Sequence, residues 1–386
     1  SLHTLQCLLP LNQSRSNMGN CVTRSAEDIR LRREPPVPAR DSAAATRTGT
    51  TVNIQAHPNS VFSLYFRYAL HLKSVPFRLV PSQENALLIG GSDPLSGSRE
   101  SLLRILEERF PYPRHPRLVP AAGSSNRKEG SLLVLLLEGE TTPLVVRMVT
   151  LQHRSITWHL EKLVRWAEDL KSRSGGTGKS SKKEIRDVGA GSNPEAKKFG
   201  ESYNCILEVL MEHAQMEERI VFPILDAADQ GLCKAANEEH GRHFPIMNGI
   251  KEVIKVIQVL PIGSADYQEA LSDLLNRIKS LEVFAISPRV SHRNPNYSPH
   301  LQKRCKMHFE EEQQDVLPLM EAVDLSEDQQ HRMVERCLDS MSATHSYLFP
   351  FLIEGLLPWE TMLYLDVIIR CKEEPQAVWM LRRIVD

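Results

Sequence analysis

The sequence predicts a mainly α protein: a four-helix bundle with a C-terminal helical extension, preceded by a small α/β segment. Three observations predict it. Apolar residues recur on a helical period through most of the chain beyond Leu144. Two H-x3-E pairs repeat with the same downstream proline, and a short β-α-β-β-α pattern lies ahead of them.

The 386 residues are 41% hydrophobic and 25% charged, an ordinary globular composition. At ~100–200 residues per domain they leave room for two or three units. A net charge of -1 gives no global field to draw nucleic acid or an anionic membrane, so no nucleic-acid partner is expected. The cysteines (Cys7, Cys21, Cys205, Cys233, Cys305, Cys337 and Cys371) are odd in number, far apart and without a C-x-x-C pair. That pattern argues against a disulfide framework and for a reducing, cytoplasmic compartment. The longest apolar run, Leu132 to Leu137, is far too short to span a bilayer.

Residues 1–50 are rich in Arg, Ser, Thr, Ala and Pro, lack apolar periodicity, and read as a disordered tail. Within them Met18-Gly19-Asn20-Cys21-Val22-Thr23 fits the N-myristoylation pattern, with Cys21 placed for a second, palmitoyl chain. One acyl chain anchors weakly and two anchor stably, so a membrane tether is expected if translation starts at Met18 and exposes Gly19. Strands are then expected at Val52–Ile54, Phe77–Val80 and Ala86–Ile89, with a helix from Val61 to Leu72 between the first two. Ser98 is placed to cap a further helix from Arg99 to Arg109. Residues 51–115 thus form one α/β segment, and 116–143 read as a linker. Residues 144–323 form the bundle, with flexible loops at 172–198 (rich in Gly, Ser and Lys) and 284–300 (Pro288, Pro295, Pro299). His292 and His300 fall in the second loop and are not counted as ligands. Residues 324–386 form the helical extension, opened by a capping-box-like Leu325-Ser326-Glu327-Asp328. Its apolar stretches, Ser346 to Leu356 and Trp359 to Arg370, should pack against the bundle or a protein partner, and His331 and His345 read as ordinary helix residues.

The internal repeat carries the chemistry. His213-x3-Glu217 is followed by Phe222-Pro223-Ile224-Leu225, and His308-x3-Glu312 by Leu317-Pro318-Leu319-Met320. In both copies the proline lies ten residues after the histidine. Residues four apart share a helix face, so each pair points an imidazole and a carboxylate the same way. Ile206, Val209, Leu210, Ile220 and Ile224 fall on the His213 stripe; Cys305, Val316 and Leu319 fall on that of His308. A charged glutamate on a buried stripe is costly unless it is paired or binds metal. Two more helices complete the bundle. One spans Leu144 to Leu170, with His153 on the stripe of Ile156, Leu160, Val164 and Ala167. His159, ~120° from His153 around that helix, is expected at its edge or in solvent. The other runs from Asn237, as N-cap, to Val259, with Pro245 in its first turns and both His240 and His243 near its start. The set His153, His213, Glu217, His240, His308 and Glu312, with His243 as the alternative to His240, suits iron, manganese or zinc.

The order H…HxxxE…H…HxxxE resembles the hemerythrin HHE cation-binding family over roughly Leu144 to Val323, and is especially similar to its branch in eukaryotic iron-sensing ubiquitin ligases. The resemblance implies two irons with an oxo or hydroxo bridge, Glu217 and Glu312 bridging them, and His153, His213, His240 and His308 as terminal ligands. It implies binding or sensing of iron or dioxygen and no catalytic residue. Glu218 and Glu311 lie beside the bridging candidates, and Phe244 stands four after His240, where hemerythrins hold another histidine. A weaker likeness concerns LLIGGSDPLSGSRESLLRILEERFP, which is similar to the thioredoxin-like half of glutathione transferases. It implies, as an alternative function, a glutathione-binding protein or transferase through residues 51–112 with Ser98 on glutathione, although no proline directly precedes the third strand; a metal-free helical scaffold is the other alternative.

Overall fold

A computed structural model of the chain describes residues 50–91, 93–120, 142–175, 193–281 and 305–386. Met18, Gly19, Cys21 and the 284–300 segment with His292 and His300 lie outside the described residues.

The α/β segment is built on β1 (Val52–Ala56), whose alternation buries Val52, Ile54 and Ala56 completely. β1 is central. It pairs in parallel with β2 (Phe77–Pro81) and antiparallel with β3 (Ala86–Ile89). Helix α1 (Val61–Leu72) is capped by the Ser60 hydroxyl, which accepts from the Ser63 N–H. Helix α2 (Arg99–Arg109) is capped in the same way by Ser98, which accepts from the Ser101 N–H at 3.2 Å. The expected linker begins as folded chain: Leu118 is buried, and its N–H donates to Glu107 at 2.9 Å.

Four long helices close a ring. They are α3 (Leu144–Gly175), α4 (Pro194–Met216), α6 (Lys234–Val259) and α7 (Ala265–Leu281), with the short α5 (Phe222–Ala228) after α4. α4 packs on α3 and α6, and α7 packs on the same two from the other side. Both ends of the loop expected over 172–198 are helical instead. α3 continues to Gly175, and Asn193-Pro194 is a cap-plus-N1 pair whose Asn193 side chain accepts from Glu195 and Ala196 N–H groups. Asn237 is not a cap. α6 starts three residues earlier and carries Pro245 in its interior. α8 (Cys305–Glu311) resumes helix against α3.

The extension consists of α9 (Glu327–Ser340), α10 (Phe349–Glu354), α11 (Pro358–Cys371) and α12 (Glu374–Val385). Ser326 and Gln329 form the capping box expected at its start. α9, α10 and α11 cover the face of α3 that points away from the bundle, while α11 and α12 pack on α1. Arg99 pairs with Asp366 at 2.9 Å and Arg67 with Asp386 at 3.1 Å, which ties the α/β segment to the same helices. The first half of α3 is therefore enclosed nearly all round, as its run of Val145, Val146, Met148, Val149 and Leu151 requires. This enclosure corrects two expectations. His159 is buried rather than at an edge: its Nε2–H donates to the Phe351 carbonyl at 2.7 Å, and its ring stacks on Phe351. His345 lies in the buried turn between α9 and α10 rather than on a helix. No helix among the described residues is long and apolar enough to cross a membrane.

Gly355 of the extension lies tight against the α3 backbone at Ser155. A Cβ there would lie 2.7 Å from the Ser155 Cα and 2.8 Å from its Cβ, so the α3 backbone itself is in the way. Gly355→Ala should cost about 1–3 kcal/mol by overpacking, read as a lower Tm and an earlier urea midpoint. Gly241→Ala on α6 meets nothing within 4 Å and should be neutral or slightly stabilising in the same assay.

Candidate metal centre

One buried cluster holds all six side chains singled out by the sequence. His153 comes from α3, His213 from the last turn of α4, His240 from α6 and His308 from α8. Glu217 and Glu312 each open a widened, π-helical turn, Glu217–Val221 and Glu312–Val316. The Phe222 N–H reaches back to the Glu217 carbonyl, and the Leu317 N–H to that of Glu312, five residues in each case. The repeated proline accounts for both turns. A proline in a regular α-helix clashes with the carbonyl four residues earlier, and widening the turn just ahead of Pro223 and Pro318 relieves that clash. The second copy then tightens into a 3-10 helix, Leu317–Ala322. The change of period turns Leu319 outward, 40% exposed, and buries Leu317 and Met320, contrary to the stripe expected for Leu319.

The carboxylates occupy the middle of the set. Glu217 Oε1 lies 3.2 Å from His213 Nε2 and 3.4 Å from His153 Nε2, while its Oε2 lies 3.6 Å from His240 Nε2. Glu312 Oε2 lies 3.3 Å from His153 Nε2, and its Oε1 lies 3.3 Å from His308 Nε2. Each carboxylate thus turns one oxygen toward the His153/His213 pair and the other toward the His240/His308 pair. Two clusters with metal-ligand spacing result, His153-His213-Glu217 and His240-His308-Glu312. None of the six residues is more than 4% exposed. His243 is also buried, but it stands beside the set, its ring 5.8 Å from that of His308; His240 is the member of the cluster.

Each imidazole is held from behind through Nδ1. His240 meets Glu218 at 3.1 Å, and His308 meets Glu239 at 3.0 Å. His213 donates to Gln152 Oε1 at 2.9 Å, and His153 meets the Gln313 amide at 3.1 Å. Such partners orient the ring and aim Nε2 at the centre. Glu218 therefore supports a ligand from outside, while Glu311 faces solvent. Gln152, Glu239 and Gln313 carry no sequence signal beyond adjacency to His153, His240 and Glu312.

Ser98 sits apart from this chemistry, exposed, with its hydroxyl engaged by Ser101 at the start of α2.

Electrostatically the set is unfinished as bare protein. Both oxygens of Glu217, both of Glu312, and Nε2 of His153 and of His213 are buried without a hydrogen-bond partner. Burial lifts Glu217 and Glu312 to about 7 and drops His213 to about 4; His153 is pushed well below its usual range by burial, then by its neighbouring histidines. Burial pulls His308 down too, but Glu312, Glu239 and Glu217 outweigh it and raise this imidazole to about 9. His240 Nε2 faces His308 Nε2 at 3.1 Å, two ring nitrogens that need a proton or a cation between them. Carboxylates and neutral imidazoles aimed at shared points fit a pair of divalent or trivalent cations.

A small recess beside the set is lined by Leu210, Ala214, Phe244, Met247 and Phe309 and reaches His213, His240 and His308.

Residues 144–282 match the family model for the hemerythrin HHE cation binding domain. The match covers His153, His213, Glu217 and His240 but stops short of Val323, where the likeness was expected to end; His308 and Glu312 join the set through the fold. The chain matches no curated protein and no solved structure.

Protonation ties the bare centre to stability. Native Glu217 and Glu312 hold protons from the usual 4.5 up to about 7, and His308 from the usual 6.5 up to about 9. Each contribution is lost as pH rises through the folded value. The depressed His153 and His213 oppose this only below 6.5. Metal-stripped protein should therefore lose stability in urea between pH 6.5 and 9, whereas metal-loaded protein should not show that slope; equal slopes would contradict the assignment.

Proposed function

Given that the chain carries a hemerythrin HHE cation-binding domain, we propose that its six buried ligands hold two iron ions, in a non-haem diiron centre that binds or senses iron or dioxygen. One observation carries this reading: Glu217 and Glu312 each divide their two oxygens between the two histidine pairs. Two ligand sets that share both carboxylates suit two adjacent ions, where separate mononuclear sites would have no need of sharing. Manganese and zinc accept the same ligand types, and the family likeness favours iron.

When bound, iron supplies a reversible change of oxidation state and coordination positions for a small ligand. The chain's own residues do the rest. Gln152, Glu218, Glu239 and Gln313 fix the four rings. The aromatic ring of Phe309, stacked on His153 at 4.1 Å, excludes water from one side. The recess of Leu210, Ala214, Phe244, Met247 and Phe309 is apolar and small, which favours a diatomic over a polar substrate. Binding a cation displaces the protons held on Glu217, Glu312 and His308, so uptake near neutral pH releases acid.

Purified protein should carry two irons per chain with near-ultraviolet charge-transfer absorption. Glu217→Ala and Glu312→Ala should each lower the content of both ions together, to below one per chain, with helical circular dichroism retained. A folded variant that keeps one full iron would overturn the shared-bridge geometry, and a folded wild-type chain that takes up no metal would overturn the reading altogether.

A further inference from the structure

A hydrogen-bond chain leaves the centre through His213 and ends in the C-terminal extension. His213 Nδ1 meets Gln152 Oε1 at 2.9 Å, and Gln152 Nε2 meets the Tyr364 hydroxyl at 2.9 Å. That hydroxyl meets His345 Nε2 at 2.8 Å, and His345 Nδ1 faces two backbone carbonyls, Leu338 and Met341, each at 3.0 Å. All four side chains are buried, none more than 5% exposed.

We infer that the extension fixes the ring tautomer of His213: Tyr364 and His345 act as positioning residues that keep the proton on His213 Nδ1 and leave the Nε2 lone pair facing the site. The direction of every bond follows from the far end. A carbonyl oxygen can only accept, so His345 Nδ1 must carry hydrogen and donate. Its Nε2 is then an acceptor in the neutral ring, and the Tyr364 O–H must donate to it. The Tyr364 oxygen is left to accept, and only the amide NH2 of Gln152 can supply that donor. The Gln152 carbonyl oxygen therefore points at His213, where it can only accept, and His213 Nδ1 must hold its proton. Reversing the chain would put a bare Nδ1 lone pair against two carbonyls, unless His345 were doubly protonated. Burial opposes that charge and holds His345 down at about 4. Tyr364 itself stays protonated, its phenol pushed up by burial.

The other three ligands lack this arrangement. Glu218 and Glu239 are acceptors by their own charge and need nothing behind them. The Gln313 amide can turn either way toward His153, since among the described residues no hydrogen-bonded neighbour orders it as Tyr364 orders Gln152. Without the chain, His213 has a competing choice: Nε2–H could donate to Glu217 Oε1, 3.2 Å away, and that tautomer cannot bind metal through Nε2. The consequence for metal rests on the diiron reading; the tautomer does not.

The test uses the full chain labelled with 15N-histidine. Long-range proton–nitrogen correlation reads the tautomer in metal-free protein, with His213 assigned by its absence in His213→Gln. Anaerobic titration with ferrous iron reads affinity. Wild type should show the Nδ1–H tautomer. Tyr364→Phe and His345→Leu should shift His213 toward Nε2–H and weaken one of the two ferrous ions on the order of tenfold. His345→Gln should restore wild-type behaviour, because its amide can accept from Tyr364 and donate to a backbone carbonyl. The inference is overturned if wild-type His213 carries its proton on Nε2, or if the two disrupting variants keep the wild-type tautomer. If the tautomers follow the pattern but wild type takes up no iron, the inference stands and the diiron reading fails.

Discussion

Two carboxylates buried side by side in an apolar interior set the terms for the whole bundle. Removing such a group from water costs several kcal/mol even after relaxation, and here Glu217 and Glu312 have no hydrogen-bond donor on any oxygen. The fold answers with geometry. Four helices each contribute an imidazole, and each imidazole is braced from outside through Nδ1 so that Nε2 points inward. As bare protein, the arrangement responds with a raised proton affinity at Glu217, Glu312 and His308. A cation relieves the same strain more completely. Stability and ligand binding are therefore the same interaction seen under two conditions.

Most of this was legible because the ligands repeat. His-x3-Glu twice, with an identical proline offset, placed four of the six residues, and helical periodicity placed His153. The choice between His240 and His243 is not legible in the sequence: both are buried on α6, and only the folded contacts of His240 with Glu217, Glu218 and His308 separate them. Leu319 was misplaced because a single helical period was carried through Pro318, where the chain in fact widens and then tightens. The proline that made the repeat visible was also the sign of that change. His159 was misplaced because periodicity sees one buried face per helix, and α3 has two.

α3 is the common wall. One face supplies His153 to the centre. The other receives the extension through Ser155, whose hydroxyl donates to the Leu352 carbonyl at 2.6 Å, through His159, and through Lys162 with Glu354 at 2.6 Å. Gln152 sits between the faces and touches both sides of the wall, His213 within and Tyr364 beyond. The α/β segment docks on α11 and α12, helices of the extension. Its edges and its Ser98 cap have no part in the centre.

The place of His308 and Glu312 in the buried set, beyond the span of the family match, has a consequence for where this domain ends. A boundary drawn at residue 282 follows the family likeness, yet it leaves out Glu312 and His308 of the buried set. A boundary drawn after Ala322 recovers both and still severs the proton-ordering contacts of Tyr364 and His345. Physically, the unit that matters is the stretch that supplies the six buried side chains and the groups bracing their rings from outside. With Tyr364 and His345 behind Gln152, that stretch reaches into the last helices of the chain, so evolutionary and structural borders fall in different places.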